Sequence, residues 1–134
     1  MMINSESIQA AASRIKGKIN RTPLTFDSKL NIYIKWENQQ ETGAFKIRGA
    51  LNKILALAPW EQERGLVAVS AGNHGLGVAY AAKLVGAKAT VFIPEKTAKN
   101  KEESILHNGA VVHKIAGDYS QAEIEAQNYA VKRG

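Results

Sequence analysis

Residues 65–77 read Gly65-Leu66-Val67-Ala68-Val69-Ser70-Ala71-Gly72-Asn73-His74-Gly75-Leu76-Gly77. An apolar run comes first, a short loop follows it, and an apolar segment at helical spacing comes next. The apolar runs at 88–93 and 110–115 repeat this arrangement, each before another helical segment. Continuous apolar runs are typical of strands buried on both faces of a parallel sheet. The alternation therefore predicts an α/β fold: a parallel sheet with flanking helices in three layers and right-handed crossovers.

The helices between these strands have recognisable ends. Gly86 and Gly109 precede the second and third strands, where helix C-terminal glycines belong. The last helix is predicted at 119–132 with Asp118 as its cap. Its predicted buried residues are Ala122, Ala126, Tyr129 and Ala130.

The N-terminal half has a different pattern. Residues 5–19 predict an amphipathic helix, because apolar residues recur at helical spacing. Apolar and polar residues alternate at 32–37, which predicts a strand. A second helix is predicted at 47–58, and Pro59 is expected to end it. The cap of the first helix is expected to be Ser5 or Ser7.

Composition narrows the class of protein. The chain has 134 residues and no cysteine, so we expect no disulfide framework and no thiolate metal site. No metal site of another kind is predicted. The formal net charge is +6, but the lysines are spread out and the densest group, 96–101, is followed by Glu102 and Glu103. We therefore favour a solvated basic surface, which can attract anionic ligands, over a nucleic-acid interface.

Hydropathy gives no sign of a membrane protein. No apolar stretch approaches the ~20 residues that a membrane-spanning helix needs. Residues 1–13 lack the basic segment and apolar run of a signal peptide. We therefore expect no membrane partner and a cytoplasmic location.

A lysine stands at the start of the second predicted helix, within Thr42-Gly43-Ala44-Phe45-Lys46. A cation there opposes the helix dipole, and from spacing alone a solvated surface lysine is the simpler interpretation. The functional alternative is a nucleophilic amine, which desolvation or a nearby cation can activate. Phe45 would then offer an aromatic face to a flat ring, and Gly43 and Ala44 would admit a ligand close to the backbone.

The loop at 70–77 lies between a predicted strand and a predicted helix. Ligands bind at the carboxyl ends of parallel strands, and amides at a helix start bind anions. The glycine order is G-x-x-G-x-G, which is not the dinucleotide fingerprint. The loop predicts a carboxylate or phosphate site; the structural alternative is a tight turn capped by Asn73.

The two segments together resemble the fold-type II pyridoxal-phosphate enzymes, also called tryptophan synthase β-like, and within them the threonine dehydratase and serine racemase branch. The resemblance covers essentially the whole chain. The matching segments are 21–24 (RTPL), 35–39 (KWENQ), 42–50 (TGAFKIRGA), 70–75 (SAGNHG), 109–111 (GAV) and 117–119 (GDY).

The resemblance implies roles for individual residues. Lys46 would hold pyridoxal 5'-phosphate as a Schiff base and later act as the base at the substrate Cα. Phe45 would pack on the cofactor ring, and Asn73 would hydrogen-bond its phenolic oxygen. The substrate carboxylate would be held by Ser70 and by the amides of Gly72, Asn73 and His74.

Ala71 discriminates within the branch. Similar serine racemases carry a second serine at this position, which serves the opposite face of the cofactor. Alanine suits a one-base dehydratase, so the resemblance implies elimination: a hydroxy amino acid of threonine or serine type becomes a 2-keto acid plus ammonia.

The resemblance also implies an incomplete architecture. Residues 1–58 resemble an opening part of the large domain, and 65–134 resemble most of the small domain. The glycine-rich phosphate loop and the residue facing the pyridine nitrogen are expected beyond the position matching Gly134. The expected partners are an amino-acid substrate and either a second copy or a complementing C-terminal polypeptide. The competing hypothesis is a truncated non-catalytic relative that self-associates or binds a small anion.

Overall fold

The computed structural model describes residues 3–133 and contains a mixture of helices and strands. In chain order they are α1 (Ser5–Ile15), β1 (Leu24–Asp27), β2 (Ile32–Lys35), a 3-10 turn (Glu37–Gln39), α2 (Lys46–Leu55), α3 (Pro59–Arg64), β3 (Leu66–Val69), α4 (Asn73–Val85), β4 (Ala89–Pro94), α5 (Lys99–His107), β5 (Val111–Ile115) and α6 (Tyr119–Arg133).

The predicted parallel sheet is confirmed. Its strand order is β3-β4-β5, and β4 pairs in parallel with both neighbours. Among the three strands of this sheet, the middle one alone is buried on both faces: Val91 and Ile93 are fully buried, and Phe92 between them is nearly so. The expectation that all three strands are doubly buried was wrong, because β3 and β5 are edge strands within the described residues and Val67 and Val111 are exposed.

Helices cover both faces of the sheet, which confirms the three-layer class. Val91 and Ile93 face a core shared with α2, α4 and α5, in which Ile47, Leu51 and Ile105 are also buried. Phe92 points to the opposite face, since successive side chains of a strand alternate. There it packs against α6, whose Ala122 and Ala126 are buried as predicted.

Helix ends agree with the sequence in the C-terminal half. Gly86 and Gly109 have φ angles of 73° and 81°, the left-handed geometry that suits glycine. Asp118 accepts hydrogen bonds from the backbone N–H groups of Ser120 and Gln121, at 2.9 and 3.1 Å. The predicted cap of α6 is therefore confirmed.

The first helix is shorter than predicted and has a different cap. It ends at Ile15, and its cap is Asn4, whose side chain accepts from the Ser7 amide at 2.8 Å. Ser7 returns the bond by accepting from the Asn4 amide. The expectation that Ser5 or Ser7 caps the helix was wrong, because the reciprocal pair places Ser7 inside the first turn.

The predicted strand at 32–37 is also shorter, and its partner was missed. β2 pairs with β1 in an antiparallel hairpin that aligns Phe26 with Tyr33. The hairpin is only two strands wide, and the side chains of Leu24, Phe26 and Tyr33 are exposed. The sequence did not predict β1, because Pro23 lies directly before it. A proline is compatible with either a strand or a turn, and the sequence does not distinguish these two structures.

Pro59 begins a helix instead of ending one. α2 stops at Leu55, and Pro59 is the first residue of α3. Proline suits this position because its missing N–H would have no helical partner there. The Glu61 carboxylate accepts from the Ala58 amide at 2.7 Å and closes the turn.

Within residues 3–133, no helix is long and apolar enough to cross a membrane. No three potential metal-ligating side chains come together in that same range. The division into domains 1–58 and 65–134 stays a prediction; α2 from the first part shares one core cluster with α4 from the second.

Candidate active site

Lys46 is the first residue of α2, as the sequence indicated. The loop before it turns at Gly43, which has φ of 66° and donates its N–H to the Gln40 carbonyl at 2.7 Å. The side chains of Phe45 and Lys46 are both exposed. The Lys46 ammonium lies over the Phe45 ring, 5.0 Å from its centroid. The amine and the aromatic face are thus presented together at the start of a helix.

The second segment follows the carboxyl end of β3. Ser70 extends the β3–β4 ladder by donating its N–H to the Phe92 carbonyl at 3.1 Å, and its Oγ accepts from the Gly72 amide at 3.2 Å. α4 begins at Asn73 with Gly72 as its cap. The alternative in which Asn73 caps the helix was wrong, since Asn73 is already the first helical residue.

The start of α4 has the geometry of an anion site. The first α-helical bond runs from the Leu76 amide to the Gly72 carbonyl at 3.2 Å. The amides of Asn73 and His74 therefore precede the helical hydrogen-bond ladder. Such amides, at the positive end of a 13-residue helix, attract carboxylates and phosphates. The Asn73 and His74 side chains are exposed beside them.

Two glycines bring the segments together. A methyl group on Gly77 would lie 3.2 Å from the Ile47 nitrogen and 3.3 Å from the Lys46 carbonyl carbon. The backbone at the start of α2 therefore touches α4 at Gly77, one helical turn after Asn73. A methyl group on Gly75 would lie 2.6 Å from the Ser70 carbonyl oxygen, so α4 also crosses the end of β3 closely.

The predicted roles of the site residues stay predictions, but their chemistry fits the cofactor that the resemblance implies. An exposed primary amine at Lys46 can bind an aldehyde, and the Phe45 ring can cover a flat heterocycle. The Asn73 amide can donate to a phenolic oxygen. Ser70 and the amides of Gly72, Asn73 and His74 suit a carboxylate.

A charged cluster beside α2 was not predicted. Arg48 donates two hydrogen bonds to the Glu37 carboxylate. Its Nε donates to Oε2 at 2.8 Å, and its Nη2 donates to Oε1 at 2.7 Å. Thr22, which is buried, donates its hydroxyl to Glu37 at 2.6 Å. The hydrogen bond from Arg48 lowers the pKa of the Glu37 carboxyl to about 2, although burial opposes the shift. All three residues lie in the segments that carry the resemblance, but no local pattern joins them.

Gln40 is the other residue that the sequence did not single out. It is buried, donates to the Asn20 carbonyl at 2.7 Å and accepts from the Asn20 and Glu41 amides at 3.0 Å each. Its side chain therefore joins the lysine loop to the segment after α1. A polar residue in a polar stretch gives no signal of such burial.

Comparison with known proteins agrees with this geometry. Residues 15–134 match the family described as pyridoxal-phosphate dependent enzyme. The chain is 38% identical to a putative threonine dehydratase of Sinorhizobium fredii, over 98% of this chain and 42% of that protein. It is 44% identical to an L-threonine ammonia-lyase of Thermotoga maritima, over 83% of this chain and 29% of that protein. The chain thus spans less than half the length of these curated relatives.

Solved structures that superpose on this chain include a serine racemase and a threonine deaminase. Maize serine racemase superposes with a TM-score of 0.94 at 31% identity, over 100% of this chain and 43% of the racemase chain. A threonine deaminase of Solanum lycopersicum superposes with a TM-score of 0.85 at 28% identity, over 98% of this chain and 39% of that chain. This chain, which carries a lysine at the start of α2 and the SAGNHG loop after β3, therefore belongs to the pyridoxal-phosphate dependent enzymes of fold type II and is similar to threonine dehydratases and ammonia-lyases.

Proposed function

We propose that this chain carries the lysine-bearing part of a threonine or serine ammonia-lyase. The observation that supports this most strongly is the contact of α2 with α4 at Gly77, where the Lys46 backbone lies one turn from Asn73. An amine, an aromatic ring and a helix N-terminus would thereby be available to one ligand. The threonine dehydratase and ammonia-lyase names of the relatives support the choice of reaction.

Three side chains would hold the cofactor. Lys46 would bind it covalently, Phe45 would cover its ring, and Asn73 would donate to its phenolic oxygen. When bound there, pyridoxal phosphate supplies an electron sink that acidifies the substrate Cα proton.

Groups of the chain itself would bind the substrate and move its proton. The Ser70 hydroxyl and the amides of Gly72, Asn73 and His74 would bind and orient the substrate carboxylate. The Lys46 amine, displaced by the substrate amine, would take the Cα proton. Loss of the β-hydroxyl and hydrolysis would then leave a 2-keto acid and ammonia.

Ala71 supports elimination over racemisation. Racemisation needs a second proton donor on the opposite face of the substrate, and a methyl side chain in this loop carries no proton to give. A serine racemase is nonetheless among the solved structures that the chain superposes on, so the products decide between the two reactions.

The second candidate is a non-catalytic chain that self-associates. It is supported by the hairpin, where Leu24 is 62%, Phe26 51% and Tyr33 73% exposed. Apolar side chains on an unpaired strand edge favour association with another chain. A second copy or a complementing polypeptide would cover this face, and in the enzyme hypothesis the complementing polypeptide would also complete the cofactor site.

One labelling experiment separates the two. The purified chain is incubated with pyridoxal phosphate, reduced with borohydride and mapped by peptide mass spectrometry. We expect modification at Lys46 that is lost in Lys46→Ala and kept in Lys53→Ala, a matched change of an exposed lysine on the same helix.

Product analysis completes the test. Release of keto acid from L-threonine that disappears in Lys46→Ala would establish the lyase, and D-amino acid without keto acid would indicate racemisation. Absence of a Lys46 adduct would rule out the enzyme hypothesis for this chain. Sedimentation at several concentrations would then measure self-association directly.

A further inference from the structure

The ion pair between Glu37 and Arg48 joins parts of the chain that lie far apart. Both nitrogens of the guanidinium edge meet the carboxylate, at 2.8 and 2.7 Å, so the pair is bidentate. The side chains are only 21% and 32% exposed. Bidentate and partly desolvated pairs hold a geometry more firmly than single surface contacts.

Thr22 and Lys35 extend the pair into a network. The Thr22 hydroxyl donates to Glu37, a terminal nitrogen of Arg48 approaches Thr22 Oγ1 at 3.2 Å, and the Lys35 ammonium donates to the Thr22 carbonyl at 2.6 Å. Thr22 is only 4% exposed. The network therefore anchors the start of α2 to the segment before β1 and to the end of β2.

Ile47, which is fully buried in the core, holds the inner face of the first turn of α2, but the helix start has no capping side chain of its own. Its cap position, Phe45, makes no side-chain hydrogen bond to the helix, and the first turn carries no acidic residue. It carries Lys46 and Arg48 instead, two cations at the positive end of the helix dipole. Glu37 supplies the missing negative charge from outside the helix.

The position of this turn matters for the site because Lys46 is its first residue. A methyl group added to Gly77 would lie within 3.4 Å of backbone atoms of Lys46 and Ile47, so the two helices leave no room for a side chain there. A shift of the turn by a fraction of an ångström would therefore move the lysine relative to Asn73. Core burial of Leu51 and Ile54 fixes the later turns of α2, whereas the first turn combines burial of Ile47 with the ion pair of Arg48.

We propose that Glu37 and Arg48 are positioning residues whose ion pair fixes the first turn of α2 and thereby places the Lys46 amine beside the 70–74 loop. The inference rests on the proposed function for the use of that amine, but the clamping of the turn is measurable without cofactor. The pKa of Glu37, lowered to about 2, keeps the carboxylate charged well into the acidic range.

The first measurement is hydrogen exchange in the cofactor-free chain. Arg48→Met and Glu37→Gln should speed exchange of amides 48–51 by roughly tenfold, as expected for the loss of a charged hydrogen bond in a local opening. The Ala56 amide, which bonds to Asn52 at the far end of the helix, should change little. The double variant should exchange no faster than Arg48→Met, because both changes remove one interaction.

Glu102→Gln is the matched control. It removes an ion pair with Lys114 of 2.9 Å between α5 and β5, away from the site. We expect it to leave amides 48–51 unchanged. Equal effects of Glu102→Gln and Glu37→Gln on those amides would contradict the proposal that the ion pair fixes the first turn of α2. Unchanged exchange in both Arg48→Met and Glu37→Gln would contradict it as well.

The second measurement is the rate of Lys46 labelling by pyridoxal phosphate and borohydride, relative to Lys53 in the same sample. The ratio should fall several-fold in Arg48→Met and recover in part in Arg48→Lys, which keeps the charge but not the bidentate contact. Labelling of the variants at the unmodified ratio would overturn the positioning role while leaving the function intact. If the variants show altered exchange but Lys46 of the unmodified chain is not labelled, the ion pair still fixes the first turn of α2, and the proposed ammonia-lyase function is rejected.

Discussion

Gly75 and Gly77 show how single residues shape this site. The G-x-x-G-x-G order invites the interpretation that each glycine admits a ligand, and Gly72 does have open space around its Cα hydrogens. Gly75 and Gly77 instead make room for the protein itself, since side chains there would meet Ser70 and the start of α2. The motif is therefore in part a packing motif.

Gly75→Ala tests this at the residue scale. The added methyl would lie 2.6 Å from the Ser70 carbonyl oxygen, which is backbone and cannot rotate away. We expect the free energy of unfolding to fall by about 1–3 kcal/mol, the usual cost of overpacking. Urea unfolding followed by circular dichroism measures it.

Gly49→Ala is the control, because Gly49 lies inside α2 with nothing within 4 Å of the new methyl. It should raise stability by about 0.5–1 kcal/mol through helix propensity. If the two variants unfold at the same urea concentration, the close crossing at Gly75 is not under packing constraint.

At the scale of elements, the sequence predicted best where local signals suffice. Short stretches of sequence were enough to predict three features: the parallel strands, the glycines that end the helices before them, and the Asp118 cap. Predictions failed where a local signal had two meanings. Pro59 can end a helix or begin one, and the serines after Asn4 can cap a helix or lie in its first turn.

Asp118→Ala tests the cap of α6. The carboxylate accepts from two amides that α6 cannot satisfy internally, so its loss should cost about 1 kcal/mol of unfolding free energy. Asp118→Asn keeps an acceptor in the same place and should cost much less. Equal losses in the two variants would mean that charge, not hydrogen bonding, stabilises this helix end.

At the scale of the whole molecule, the Glu37 cluster makes stability depend on pH. The folded pKa of Glu37 is about 2 against an ordinary value of 4.5, so the stabilisation is complete above pH 4.5 and is lost as pH falls through 2. Because the side chain is 21% exposed, we expect roughly 1–3 kcal/mol at neutral pH.

The measurement compares urea unfolding of the unmodified chain and Glu37→Gln at about pH 6 and about pH 3. The difference between the two proteins should be largest at the higher pH and shrink at the lower one. Glu102→Gln serves again as the control. A difference that stays constant with pH would contradict the ion pair as its source.

The residues of the candidate site also fall into two groups: those that a contiguous motif indicates, and those whose partners are distant in the sequence. Lys46, Phe45 and the 70–74 loop could be identified because each belongs to a contiguous motif beside a helix start. Thr22, Glu37, Gln40 and Arg48 received no role, because their partners lie 11 to 26 residues away and hydrogen bonds across such separations leave no periodic trace.

The sequence by itself determined the α/β class, the order of strands and helices in 65–134, and the motifs that carry the family resemblance. These follow from apolar periodicity and from glycines and caps that act within a few residues. Tertiary structure alone decided that β4 is the doubly buried strand, that Gly77 seats the first turn of α2, and that Glu37 holds Arg48. Each of these depends on which distant segments come into contact, and packing settles that only once the whole core is assembled.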